Sequence, residues 1–235
     1  MKIGLASSRF VNGNMEFNLS QIKKALRRAQ GKADLLCFGE AFLQGFDALC
    51  WDYETDREIA IAKDSQTMCR LAALTLRSKT DLLFGYIERD GETLYSSCAL
   101  LAHGELLCNY RRISKGWKEV SRTGAHYCEG TGAEEFVYRG VPMKIALCGD
   151  IWEAPERFRT DGVLLWPVYV DYTPGEWETA GAEYAAQAAK ASRRVLMVNS
   201  LCSPRGAHGG AFEFLEGRIA ARLACDTEAI LLVEV

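Results

Sequence analysis

The chain reads as an α/β layered protein, on three observations. Short continuous apolar runs bounded by turn signals recur along it, as buried strands do. Segments with apolar residues at helical spacing lie between them. Two paired runs meet at tight turns, Asp90-Gly91 and Glu216-Gly217, as hairpins do.

In chain order, residues 2–7 (KIGLAS) predict a buried strand. Residues 17–30 predict a helix, because Ile22, Ala25, Leu26 and Ala29 fall at i, i+3, i+4 and i+7. Residues 34–38 (DLLCF) predict a short strand that runs into Gly39-Glu40. Asp64 or Ser65 is a candidate N-cap for a second helix, with Met68, Leu71, Ala72, Thr75 and Leu76 on one face. Residues 82–87 predict a strand, followed past Asp90-Gly91 by 94–101 and 105–111, which turn at His103-Gly104. The second part repeats the alternation: a strand at 142–147 leads into Cys148, and another follows at 162–166. A helix over 176–192 puts Ala180, Tyr184, Ala188 and Ala191 inward. Strands at 194–199, 211–215, 218–224 and 229–235 close the chain. Two sheets face to face, with helices outside both, would use all these elements.

The bulk numbers narrow the function. With 235 residues and no Pro- or Ser-rich linker or internal repeat, one continuous domain over 1–235 is expected. A net charge of −3 supplies no global basic field, so no nucleic-acid partner is expected. The opening MKIGLASSRF lacks the apolar core of a signal peptide, and no apolar run suits a bilayer span. The expectation is a cytoplasmic protein with no membrane partner. Nine cysteines at wide spacing argue for reduced thiols rather than a disulfide framework. With three histidines and no CxxC pair, neither a structural metal nor a cofactor is expected. GxSxG, P-loop and GxGxxG motifs are absent from the sequence, which leaves serine-hydrolase and nucleotide chemistry without a signature.

Two residues stand out by position. Glu40 ends DLLCFGE and Cys148 ends KIALCGD, both at the C-terminal ends of buried strands. Ligands and catalytic groups of α/β proteins gather there, because a buried strand aims a side chain from a rigid backbone. A buried cysteine is ordinarily a small hydrophobe, and a carboxylate at a strand end is ordinarily solvated. Cys148 is set apart by the Gly149-Asp150 turn behind it, whose free backbone N–H groups could cradle an oxyanion.

The ordered set of landmarks resembles the nitrilase superfamily of carbon–nitrogen hydrolases. Phe38-Gly39-Glu40 precedes Gln44-Gly45-Phe46. Tyr95-Ser96-Ser97, His103-Gly104 and Tyr110-Arg111-Arg112 form its hairpin. LCGDIWEAPE, Leu147 to Glu156, matches its cysteine motif at Cys148, Asp150, Pro155 and Glu156. Asp161-Gly162-Val163-Leu164, Val198-Asn199 and a closing hairpin follow.

The resemblance implies a four-layer αββα sandwich of two mixed β-sheets flanked by helices, and a Glu–Lys–Cys triad. It implies hydrolysis of a small amide or carbamoyl compound, in preference to a nitrile, through a cysteine thioester. It also implies a homodimer acting on a small-molecule substrate. Glu40 and Cys148 map directly. The family lysine follows the tyrosine of the Tyr-Arg-Lys segment by two residues, and this chain has Arg112 there. Lys115 and Lys118 lie close by, and a turn at Gly116 could return either; Arg112, Lys115 and Lys118 stay open as the cation. Glu119 is the candidate for the family's additional glutamate. Trp117, Trp152 and Trp177 are candidate pocket walls, against a core or interface role. A non-catalytic binding protein, motivated by the missing lysine, and an amide-forming acyltransferase remain as alternatives.

Overall fold

A computed structural model describes residues 1–202 and 206–235. Two six-stranded mixed sheets and a two-stranded ribbon carry the fold. The first sheet holds β1 (Lys2–Ser7), β3 (Leu35–Cys37), β4 (Asp81–Asp90), β5 (Thr93–Ala102), β6 (Glu105–Arg111) and β14 (Ala229–Glu234). Its order is β14-β1-β3-β4-β5-β6, with β1, β3 and β4 parallel and the rest antiparallel to their neighbours. The second sheet holds β7 (Phe136–Tyr138), β8 (Val141–Ile145), β9 (Thr160–Val168), β10 (Ser192–Asn199), β12 (Ala211–Leu215) and β13 (Arg218–Leu223). Its order is β13-β12-β10-β9-β8-β7, with β8, β9 and β10 parallel. The ribbon pairs β2 (Arg9–Phe10) with β11 (Leu201–Cys202).

Side-chain alternation builds the layers. Leu35 and Cys37 on β3, Leu83 on β4, and Cys98 and Leu100 on β5 join the core shared with the second sheet. Their neighbours Leu36, Leu82, Phe84, Ala99 and Leu101 face outward into a separate core under α1 (Met15–Ala29) and α3 (Gln66–Ser78). The predicted stripe Ile22, Ala25, Leu26 and Ala29 is the buried face of α1. Asn14 and Ser65 cap the two helices through their side chains. On the far side α5 (Pro174–Ala191) covers the second sheet with Trp177, Tyr184, Ala185, Ala188 and Ala191. The order of layers is therefore helix, sheet, sheet, helix. Tyr138 Oη donates to Asp81 Oδ2 at 2.7 Å, so the edge strand β7 is hydrogen-bonded to the first sheet.

Some details depart from the sequence reading. Leu76 is 60% exposed rather than sharing the buried face of α3. Ala180 is only partly buried, and Trp177 and Gly181 take the inward positions instead. A short helix is expected ahead of the strand at 162–166, and α4 (Asp150–Glu153) lies there; the short helix α2 (Tyr53–Ile59), the ribbon and β7 were not foreseen. Each is too short to display a period.

Candidate active site

Glu40 and Cys148 arrive from different sheets. The chain leaves β3 and turns so that the Glu40 amide donates to Val168 O at the end of β9, 3.2 Å away. The Gly85 amide donates to Gly39 O at 3.1 Å. A methyl group on Gly85 would lie 2.4 Å from Ala41 N and 2.7 Å from Glu40 Cα, so β4 must present a bare backbone there. The glutamate segment is thus tied to both sheets.

Beyond β8 the amides of Ala146 and Cys148 continue the ladder to β9, donating to Leu165 O and Pro167 O. Cys148 then takes a left-handed conformation, φ 40°. That conformation is strained for a residue with a Cβ, by roughly 1–2 kcal/mol, and such strain concentrates at functional sites. Its carbonyl accepts the Trp166 indole N–H at 2.9 Å, which locks the elbow, and its thiol points to Tyr169 O at 3.6 Å. The amides of Cys148 and Asp150 are spent on Pro167 O and Leu147 O, whereas the Gly149 amide makes no hydrogen bond among the described residues.

Between the two arms stands Arg112, 3% exposed, immediately after β6. Its Nη1 donates to Glu40 Oε1 at 2.8 Å, and its Nε to Ser114 Oγ at 2.7 Å. Its Nη2 has no protein partner among the described residues and lies over the elbow: a methyl group on Gly149 would sit 2.7 Å from it. Glu40 is fully buried. Its Oε1 accepts from Ser96 Oγ as well, at 2.9 Å, and its Oε2 is buried with no partner. An open, buried oxygen on a carboxylate whose charge acts on the Cys148 thiol is chemically poised to accept a proton.

Burial, and then the charge of Glu40, push the Cys148 thiol up to about 12, with Arg112 pulling the other way. The free protein therefore holds a neutral thiol at pH 7. Burial works against the Arg112 charge, but the charges of Glu40 and Asp150 outweigh it and hold the guanidinium above its ordinary range.

Of the other residues singled out in the sequence, Lys115 is exposed. Lys118 donates to Tyr127 O and pairs with Glu129 at 2.7 Å. Glu119 is exposed, with its carboxylate taken up by Ser121. None of the three has a hydrogen bond or ion pair with Glu40, Arg112 or Cys148 among the described residues. The physical reason is that the amides of Ile113 and Ser114 are pinned to Asp150, so the chain beyond them turns outward. Trp117 and Trp177 are buried, each with an indole N–H lacking a partner, while Trp152 is 37% exposed. Ser96, Ser114 and Asp150 were not assigned roles in the sequence. Ser114 shares strand parity with Arg112, which is the signal that it faces the same way.

Residues 3–199 match the Carbon-nitrogen hydrolase family. The chain belongs to that family of hydrolases. Over 148 residues it is 36% identical to a protein described as a hydrolase in the pqqF 5′ region of Pseudomonas protegens, an alignment that covers 60% of this chain and 48% of that one. Over 159 residues it is 26% identical to an (R)-stereoselective amidase of a Pseudomonas species, covering 68% and 55%. The alignments to curated relatives span 27% to 55% of those proteins' own lengths. An amidase from a Nesterenkonia species shares the fold, with a TM-score of 0.82 at 20% identity over 100% of this chain and 90% of that one. In a variant of that amidase the acetamide moiety of fluoroacetamide is added covalently to the active-site cysteine.

Proposed function

We infer that the protein hydrolyses the carbon–nitrogen bond of a small amide or carbamoyl compound, with Cys148 as nucleophile, Glu40 as proton carrier and Arg112 as the cation. The observation that carries this reading is the buried, unpartnered Glu40 Oε2 in a site where the Arg112 guanidinium faces both the carboxylate and the Cys148 elbow. The covalent chemistry seen at the Nesterenkonia amidase cysteine supports the same role for Cys148.

As Cys148 Sγ attacks the carbonyl carbon, Glu40 takes the thiol proton. The carbonyl oxygen becomes an oxyanion, held by the Gly149 amide and Arg112 Nη2. The carbon–nitrogen bond breaks, the leaving nitrogen takes the proton from Glu40, and a thioester remains. Water then attacks the thioester and gives a proton to Glu40. The carbon–sulfur bond breaks, the acid departs and the proton returns to the sulfur. Glu40 ends each half-reaction in the state that the next requires.

Arg112 answers the motive for a non-catalytic reading, since a cation does stand beside Glu40 without the family lysine. The assembly expected on this reading is a homodimer acting on a small molecule. Ammonia release from a panel of small amides, with Cys148→Ala as control, tests it. Wild-type protein should release ammonia and show a transient mass increase on the Cys148 peptide, and the variant should do neither. Ammonia release that survives in Cys148→Ala ends the nucleophile assignment.

A further inference from the structure

Asp150 is fully buried, two residues beyond the nucleophile, and takes four hydrogen bonds. Oδ2 accepts from Tyr110 Oη at 2.6 Å and from Leu147 N at 2.7 Å. Oδ1 accepts from Ile113 N at 3.1 Å and from Ser114 N at 2.9 Å. A carboxylate offers about four acceptor sites, and all are used, so Asp150 has no lone pair left with which to relay a proton.

The four donors come from the two arms of the site. Tyr110 is the last residue but one of β6 in the first sheet, and Ile113 and Ser114 directly follow Arg112, whose Nε is held by Ser114 Oγ. Leu147 immediately precedes Cys148, just past the end of β8 of the second sheet. One buried carboxylate therefore ties the chain that carries the cation to the elbow that carries the thiol. We propose that Asp150 is a positioning residue that fixes Arg112 against Cys148, so that its role in catalysis runs through Arg112. The proposal rests on the hydrolase reading for its kinetic meaning, though the geometric tie stands apart from it.

Asparagine separates this role from a simple fold contact. Its oxygen keeps one pair of donors, but its amide nitrogen donates and cannot accept the other pair. The experiment is a double-mutant cycle of Asp150→Asn and Arg112→Met, read on kcat and KM for the best amide of the panel. Asp150→Asn alone should lower kcat about 100-fold, the scale of an ångström-sized misplacement, with KM little changed. In the Arg112→Met background the same change should cost no more than about twofold, the scatter of non-interacting effects. Losses that multiply independently would overturn the proposal.

A second arm needs no turnover: the rate at which iodoacetamide labels Cys148 at fixed pH, followed on the peptide by mass. Asp150 by its charge alone raises the thiol's pKa, so a direct field effect makes Asp150→Asn label faster. Loss of the aligned Arg112 makes it label slower, which is the result expected; faster labelling would overturn the proposal. Protein that releases no ammonia from any amide ends the hydrolase reading, and the labelling arm still decides the tie. Should Asp150→Asn not fold, Tyr110→Phe removes one donor of four, and the same cycle with Arg112→Met should show coupling of the same sign. Independent losses in that cycle would overturn the proposal equally.

Discussion

Arg112 and Glu40 close a buried ion pair of 2.8 Å across 72 positions of sequence, with 3% and 0% of their side chains exposed. Removing water from both charges is costly, and Ser96 and Ser114 offset part of it with one hydrogen bond each, to Glu40 Oε1 and from Arg112 Nε. Such a site is expensive to build for stability alone, which is why its position beside a strained cysteine carries functional weight.

The cation is the first thing to test. Arg112→Met should lower kcat about 100- to 1000-fold, the scale for losing one oxyanion donor. It should also cost about 3–5 kcal/mol of stability, because Glu40 is left as an unpaired buried charge. Arg112→Lys keeps the charge but loses the fork that reaches Ser114 and Glu40 together, so its activity should fall between wild type and Arg112→Met. Lys115→Ala, at an exposed residue, and Lys118→Ala, which removes a partly buried pair with Glu129 rather than a contact to Glu40 or Cys148, should each keep kcat within about threefold of wild type. Steady-state kinetics and urea unfolding of the four variants check this. Near-normal activity in Arg112→Met would return the role to one of the lysines.

Glu40→Gln makes two predictions of opposite sign. The amide oxygen can still accept from Ser96 and Arg112, but the group no longer carries a proton, so turnover should fall about 100- to 10,000-fold. Glu40's charge is among the causes that hold the Cys148 thiol up. Losing it lets the thiolate form at lower pH. The variant should therefore show thiolate absorbance at 240 nm earlier in a titration than wild type while failing to turn over. An onset that moved upward would mean that the carboxylate does not face the sulfur.

Much of this is legible in the sequence alone. The strand ends that deliver Glu40 and Cys148, the two hairpins and the buried face of α1 follow from apolar patterning and turn residues. What the pattern lacked was the fate of residues 112–119. Local parity puts Arg112 and Ser114 on one face, but the turn that leaves Lys115 and Lys118 away from Glu40 starts where Asp150, a carboxylate 36 residues away, pins the Ser114 amide. A periodicity argument sees neighbours in sequence and is blind to such a tie.

Stability at high pH follows from the raised thiol. The folded protein holds the Cys148 proton until about pH 12, whereas an unfolded chain releases it near the ordinary value of 9.0. Between those values the unfolded state binds fewer protons, so stability falls as pH rises. The contribution is fully present below about pH 9 and lost on the way to 12. Burial raises Cys37 and Cys98 in the same sense, so the whole protein should be sensitive to alkali. Cys148→Ala should lose less stability than wild type between pH 9 and 10.5, a window inside the span set by the two values. Denaturant midpoints at several pH values measure this. Parallel curves for the two proteins would mean that the thiol ionises freely.

Gly85 tests whether the glutamate arm is positioned by backbone contact. A Cβ at this residue would lie 2.4 Å from Ala41 N and 2.7 Å from both Glu40 Cα and Gly39 O, which are backbone atoms that cannot swing aside. Gly85→Ala should cost about 1–3 kcal/mol, the usual penalty of overpacking. The relief available is a shift of the chain at residues 39–41, which carries Glu40 away from Arg112 and Cys148. Turnover should therefore fall by more than the loss of folded protein explains, with kcat affected more than KM. Gly124→Ala is the control, because no atom lies within 4 Å of the added methyl group. It should change stability by no more than about 0.5 kcal/mol and leave kcat untouched. Normal kcat in a folded Gly85→Ala protein would show that Glu40 tolerates displacement, and would remove the close approach of β4 from the account of the site.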